Sequence, residues 1–377
     1  MSGFSWAEWL AAEAAAREGA GLTRRLVPHA AGDPVVDLAG NDYLGLARHP
    51  EVVEGAVSAS QRYGGSAGAS RLVSGTFEIH AELEAALADY TEQPSALVLS
   101  TGYHANLSVV TALADRTALV VSDAHIHASL VDAARLSRAQ VVVTPHNDVA
   151  AVRAALAAAE PGRRALVLAE SVYSVLSDAA PLAELAAVCA AYGALLVVDE
   201  AHGLGVHGPG LVTRDGLAGA DHVVVTATLS KSLGSQGGAV LGPPALREHL
   251  VNRARPFIFD TGLAPAAAGA ALAALGVLRR SPDLPARVRS RAADLAAALG
   301  VEPQTGPVVS VPMPSPQVAV AAQAAALEQG VRVGCFRPPS VPDGISRLRV
   351  TTSAGPSDAE WARASEVLVA VIKEFGA

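Results

Sequence analysis

The chain is 377 residues long, 51% hydrophobic and 17% charged, with a formal net charge of −8. Such a composition can build a substantial core and argues against a disordered chain, while the length predicts one large domain plus a smaller one. The acidic balance and the lack of any lysine/arginine block argue against a nucleic-acid partner. No apolar run reaches the ~18–20 residues that span a bilayer, so no membrane partner is expected. Met1 to Leu10 carry no basic stretch ahead of an apolar one, so no secretory signal is read and a cytoplasmic location is expected. Cys189 and Cys335 lie far apart and form no CxxC; buried thiols, and no metal site, are the expectation.

In chain order, short apolar runs alternate with alanine-rich helical stretches. Strands are predicted at Ala96–Leu99, Ala118–Val121, Gln140–Val143, Ala165–Ala169, Leu195–Val198, His222–Val225 and Ala239–Leu241. Helical patterns at Ile79–Tyr90, Leu130–Leu136 and Leu182–Tyr192 fall between them. This alternation predicts an α/β fold whose large domain holds a mostly parallel seven-stranded sheet covered by helices on both faces. After Pro265 come longer helices, Ala266–Leu278 and Ala286–Leu299, then strand-like Val308–Val311 and Leu348–Thr351, which predict a smaller α+β C-terminal domain. The expected division is an N-terminal segment over 1–42, a large domain over 43–276 and a small domain over 277–377. Ligands of such sheets bind beyond the strand C-termini. That places Ser100–Tyr103, Ser122-Asp123, Glu170-Ser171, Asp199–His202 and Thr226–Lys231 on one edge.

Lys231 is one of only two lysines, the other being Lys373. A chain that otherwise uses arginine has kept an amine in Thr228-Leu229-Ser230-Lys231, and arginine cannot replace lysine where the nitrogen must form a C=N bond. Upstream, the apolar run Leu195–Val198 ends in Asp199, with His202 just beyond. A Schiff-base lysine with an acidic partner for a pyridinium nitrogen is what a pyridoxal 5'-phosphate (PLP) enzyme needs. The competing reading is an ordinary surface lysine in a polar loop.

Other motifs carry weaker signals. Ser100–Leu107 follows a strand and opens a helix, offering N-terminal amides to a phosphate, though a plain strand-to-helix turn reads the same way. A lone histidine such as His127 is more often structural than catalytic. Asn41–Leu46 and Gly64–Arg71 read equally as simple turns. Gly203–Gly208 matches GxGxxG, but Gly208-Pro209-Gly210 follows at once and Asp199, Glu200 and His202 crowd it with charge, so dinucleotide binding is rejected. Lys231-Ser232 lacks the glycine spacing of a P-loop.

Taken together, Asn41–Leu46, Gly68–Thr76, Thr101–Asn106, His127–Leu130, Asp199–Gly203, Thr228–Lys231 and Arg337–Pro342 occur in the order seen in the α-oxoamine synthases. The resemblance runs from about Gly21 to Ala354 and implies the PLP transferase fold of type I. It implies that Lys231 carries the cofactor, that Asp199 pairs with its ring nitrogen, that His202 bonds its phenolic oxygen and that His127 stacks on its face. Gly102, Tyr103, Thr228 and Ser230 would hold the phosphate, with Ser174 near the ring oxygen and Thr261 reaching the phosphate of a neighbouring subunit in a homodimer. Arg349 would grip the amino-acid carboxylate, and Arg24, Asn41 and Ser340 would lie on the acyl-thioester side. The closest likeness is to members joining L-alanine to a pimeloyl thioester of CoA or a carrier protein. Glycine-using siblings and a catalytically silent PLP-binding homologue are the alternatives.

Two departures stand out. The family pattern Phe/Tyr-Ser-x-Asp-Gly-Asp reads Tyr173-Ser174-Val175-Leu176-Ser177-Asp178 here, so an acid and a glycine are replaced. Thr23 stands where close relatives carry arginine, with Arg24 and Arg25 adjoining it.

Overall fold

The computed structural model describes residues 4–341 and 343–376. Pro342, which closes the Arg337–Pro342 motif, lies outside the described residues. Eleven strands are present among these residues: β1 Val36–Leu38, β2 Ser95–Leu99, β3 Leu119–Asp123, β4 Gln140–Thr144, β5 Ala165–Glu170, β6 Leu195–Asp199, β7 Val223–Thr228, β8 Gly238–Gly242, β9 Val308–Pro312, β10 Val331–Phe336 and β11 Arg347–Thr351. Seven form one sheet in the order β2-β8-β7-β6-β5-β3-β4, with only β8 antiparallel to its neighbours. Every residue of β5, β6 after Leu195, β7 and β8 is buried, as continuous apolar strands require when helices cover both faces.

All seven predicted strands of this sheet are present, with shifted ends. β3, β5, β6 and β7 each run on past the apolar run into Asp123, Glu170, Asp199 and Thr226-Ala227-Thr228. The backbone ladder continues there while the side chains turn polar, so hydrophobicity alone stops the strands too early. Several helices likewise run longer than their patterns, as at Ala128–Ser137 and Pro265–Arg280, while Leu182–Tyr192 falls on its predicted bounds.

The second sheet has the order β1-β10-β11-β9. β1 comes from residues before the large sheet and pairs parallel with β10, Val36 opposite Val331. Neither β1 nor β10 was predicted: β1 is only three residues long, and β10 alternates with Arg332 and Gly334. A core of Leu38, Leu295, Val309, Val333, Leu348 and Leu368 joins this sheet to the helices Asp283–Leu299, Pro316–Glu328 and Asp358–Phe375. Among the described residues, no helix is long and apolar enough to cross a membrane. Cys189 is buried as expected, but Cys335 is half-buried, because it packs at the edge of the second sheet's core near the end of β10, where the strand also lines a cavity.

The GxGxxG match opens no helix at its glycines; only the four-residue turn Leu211–Arg214 follows it. Its first glycine serves the neighbouring acid. A Cβ on Gly203 would fall 1.9 Å from Glu200 Oε2, the carboxylate that accepts from Ser171 Oγ at 2.6 Å and Val212 N at 2.7 Å.

Candidate active site

Parallel pairing sets three polar residues side by side at the strand ends, with Glu170 opposite Asp199 and Asp199 opposite Thr226. Asp199 is 5% exposed, and its two oxygens accept from Asn106 Nδ2 at 2.7 Å and Ala201 N at 2.9 Å. Thr226 Oγ1 donates to Asn106 Oδ1 at 2.6 Å, which turns the amide so that its NH2 faces Asp199 and Ser129 Oγ. A carboxylate desolvated this far calls for charge compensation, and these neutral donors leave room for a cationic partner.

Lys231 follows β7. Its side chain is half-buried, and its Nζ lies 2.7 Å from His202 Nε2. Burial lowers its pKa to about 8, Arg349 pushes the same way, and Asp199 and Glu170 oppose the shift. The amine is therefore half neutral at about pH 8, and far more available as a nucleophile near neutrality than an ordinary lysine. His202 is held well below its ordinary value by burial and then by Lys231, Arg349 and His127, so its ring is neutral. On its other side, His202 Nδ1 lies 2.6 Å from Tyr43 Oη.

Two helices start at this edge. Thr101 caps Gly102–Leu113 by accepting from His104 N at 3.0 Å, and the first helical amides stay free for an anion. A Cβ on Gly102 would come within 2.9 Å of Thr228 Cβ, so only glycine lets this helix end sit against β7. Thr228 Oγ1 lies 2.7 Å from Ser230 Oγ, which completes a cradle of amides and hydroxyls. His127 caps Ala128–Ser137, its Nδ1 accepting from Ser129 N at 3.2 Å. Burial lowers the His127 pKa, with Asp199 and Lys231 close enough to perturb it in opposite directions.

Arg349 on β11 is buried, and its Nε donates to Ser174 O at 2.9 Å. Its Nη1 donates to Asn41 Oδ1 at 3.1 Å and Thr351 Oγ1 at 3.2 Å, leaving Nη2 without a partner among the described residues. Its guanidinium lies 5.1 Å from the centre of the Phe336 ring. Phe336 also lines a cavity of about 260 Å³ with Leu22, Arg24, Cys335, Arg337 and Ser340, in which Arg24 Nη2 donates to Ser340 Oγ at 3.0 Å.

The predicted residues therefore fall into a core and a margin. At the strand edge stand Lys231 with His202, Asp199 with His127 through Asn106 and Ser129, Gly102 with Thr228 and Ser230, and Arg349 with Ser174 and Asn41. Arg24 with Ser340 adjoins Arg349 through Phe336. Tyr103 is 41% exposed and donates its hydroxyl to Asp132 Oδ2 at 2.5 Å, so its ring lies at the mouth of the site. Thr261 is exposed, bridges to Ser70, and makes none of these contacts within the chain.

Three residues escaped the sequence reading: Asn106, Tyr43 and Glu170. Asn106 and Tyr43 lay inside motifs already singled out, and Glu170 lay at a predicted strand end. Glu170 is 1% exposed, Oε2 accepts from Ser174 N at 3.2 Å, and Oε1 has no partner among the described residues. Burial, then Asp199, push its pKa well up.

The departure at Ser177 has a structural account. Its φ of 67° is the left-handed conformation that favours glycine. Its hydroxyl accepts from Val308 N at 2.9 Å and its carbonyl from Gly306 N at 2.8 Å, which offsets the conformational cost. Leu176 lines a separate cavity of about 510 Å³ with Val308, Ser310 and Arg347.

Fold and site together define an α/β enzyme built around a half-buried, deprotonable lysine, a buried acid at the same sheet edge and an anion cradle. A family model described as aminotransferase class I and II matches residues 33–368. The chain is 55% identical over 375 residues to an 8-amino-7-oxononanoate synthase of Mycolicibacterium gilvum, covering 98% of each chain. It is 56% identical over 372 residues to that of Mycolicibacterium paratuberculosis, covering 98% of this chain and 97% of the relative. Among solved structures, Sphingomonas wittichii serine palmitoyltransferase superposes with a TM-score of 0.91 at 29% identity, covering 100% and 99% of the two chains. A serine palmitoyltransferase from S. paucimobilis with bound PLP–myriocin aldimine gives 0.90 at 30% identity, covering 98% of both. The chain belongs to the aminotransferase class I and II family and, within it, to the 8-amino-7-oxononanoate synthases.

Proposed function

We propose that this chain is a PLP-dependent acyltransferase of biotin biosynthesis, condensing L-alanine with a pimeloyl thioester to 8-amino-7-oxononanoate, CO2 and free thiol. The observation that carries the reading is Lys231 Nζ, half-buried at 2.7 Å from His202 Nε2, within the field of Asp199 and with a pKa lowered to about 8. When bound, PLP supplies an aldehyde that joins amines as C=N and a pyridinium ring that draws electrons from the amino-acid Cα.

The residues fit that group. The cradle of Gly102, Tyr103, Thr228 and Ser230 would hold its phosphate, Asp199 its ring nitrogen, and His202 its phenolic oxygen, with His127 on one face and Ser174 nearby. Arg349, oriented by Ser174 and Asn41, presents Nη2 to the carboxylate of alanine, and this grip fixes Cα relative to Lys231. Lys231 Nζ, as the free amine, would be the base that takes the Cα proton and later returns one. Asp199, its oxygens pinned by Asn106 and Ala201, would pair with the ring nitrogen and so favour loss of the Cα proton. Arg24 and Ser340 line the entry on the acyl side, reaching the centre through Phe336.

A homodimer, with Thr261 offered to the neighbouring site, and a cytoplasmic location complete the reading. Its test is kcat/KM for alanine and glycine with pimeloyl-, acetyl- and succinyl-CoA. One methyl discriminates by only about 1–3 kcal/mol, so modest glycine turnover is compatible with it. A preference for glycine with a short acyl-CoA would reassign the chain to a glycine-using sibling.

A further inference from the structure

We infer that Tyr43 is a positioning residue that holds His202 as the Nδ1–H tautomer, so that its Nε2 lone pair faces Lys231. The inference follows from which groups can donate. Arg349 has only N–H donors, so the Asn41 atom it meets at 3.1 Å is the carbonyl oxygen. Tyr43 Oη lies 3.1 Å from that same oxygen and can bond it only by donating its single proton. With that proton committed, Tyr43 Oη must accept from His202 Nδ1, 2.6 Å away. His202 Nε2 is then the acceptor, and Lys231 Nζ, at 2.7 Å, donates to it. Every bond in the row Lys231, His202, Tyr43, Asn41 then has a donor and an acceptor. The opposite tautomer would set two oxygens, Tyr43 Oη and Asn41 Oδ1, face to face with no proton between them.

The row is rigid. Tyr43 is completely buried, and burial raises its phenol to about 12, so it stays neutral. Its carbonyl accepts from Ala354 N at 2.8 Å, and Asp42 O accepts from Ser353 Oγ at 2.7 Å. Gly45, at φ 70°, sits where a Cβ would meet Gly355 Cα at 2.5 Å. The turn carrying Tyr43 is thus clamped against the segment after β11, and the hydroxyl cannot swing away from His202. Besides His202, the groups acting on Lys231 are Asp199, Glu170 and Arg349; His127 acts on His202. Arg349 and Glu170 also act on Tyr43. None of these groups bonds His202 Nδ1, so among the described residues Tyr43 decides its tautomer.

The inference rests on Lys231 as the reactive amine, and its test needs no turnover. The apoprotein is acetylated competitively across pH, with modification at Lys231 read by peptide mass spectrometry and the exposed Lys373 as internal reference. In Tyr43→Phe the ring is free to present Nε2–H, which opposes the ammonium form of Lys231. The Lys231 midpoint should fall by about one pH unit, the size of one hydrogen bond to a charged group, while Lys373 stays fixed. Asn41→Leu, which frees the Tyr43 proton to turn toward Nδ1, should move the midpoint the same way and serves if Tyr43→Phe folds poorly. In a His202→Asn background, Tyr43→Phe should add no shift. An unchanged midpoint in folded Tyr43→Phe and Asn41→Leu overturns the inference, as does an equal shift without His202. Either result leaves the PLP reading to its own test.

Discussion

Asn106 Nδ2 donates to Asp199 Oδ2 at 2.7 Å, from a helix that begins at the end of β2 to a strand three places away in the same sheet. Because Thr226 fixes the amide orientation, this bond aims the carboxylate. Asn106→Ala should therefore keep the fold and the cofactor but lower kcat about tenfold to a hundredfold, the worth of a hydrogen bond to a charged group. The check is steady-state kinetics alongside cofactor content; full activity would show that Asp199 needs no aiming.

Asp199→Asn removes the charge and keeps the shape. The protein should fold and take up PLP, yet exchange of the alanine Cα proton should stall. Proton exchange followed by NMR in D2O reads this directly, and exchange at the wild-type rate would remove Asp199 from its assigned role.

The Lys231 amine, with a pKa of about 8, should make cofactor capture by the apoprotein pH-dependent. Below that value the ammonium form dominates, so the second-order rate should rise about tenfold per pH unit and level off above it. Stopped-flow absorbance measures the profile. A rate still climbing through pH 10 would mean that burial has not shifted this lysine.

How much of this was legible in the sequence depends on what each residue does. The large sheet was readable because its buried strands are unbroken apolar runs, and Lys231 because a chain this poor in lysine makes an amine conspicuous. Asp199 and His202 were readable because they end such a run. Asn106 and Tyr43 were not, since a polar side chain that bonds another across more than 90 residues leaves no local pattern. The cost of Leu176 and Ser177 was equally hidden. Ser177 keeps the glycine-like turn only because Val308, from the other sheet, supplies a donor.

That account makes Ser177 a stability position. Ser177→Ala keeps the left-handed strain and strands a buried Val308 N–H, and should cost about 1–3 kcal/mol. Ser177→Gly relieves the strain while losing the same bond, so it should cost less. Urea unfolding of both variants orders them, and the reverse order would mean that the hydroxyl does not anchor this loop.

His146 sets a second pH dependence. Burial opposes charge on its ring, but Asp123 Oδ1 at 2.9 Å and Asp178 Oδ2 at 2.7 Å outweigh it and raise its pKa to about 9. A folded-state value above the ordinary 6.5 means that its contribution is complete below about pH 6.5 and is lost as pH rises through about 9. The gap in urea midpoint between wild type and His146→Gln should shrink over that window. A gap independent of pH would contradict the charged pair.

Borohydride trapping tests the central assignment most directly. The PLP-loaded protein should show a visible absorption band that reduction removes, with the added mass on the peptide carrying Lys231 and none on Lys373. A colourless protein that PLP cannot reconstitute, or an adduct confined to Lys373, would contradict the assignment of Lys231 as the cofactor-bearing amine.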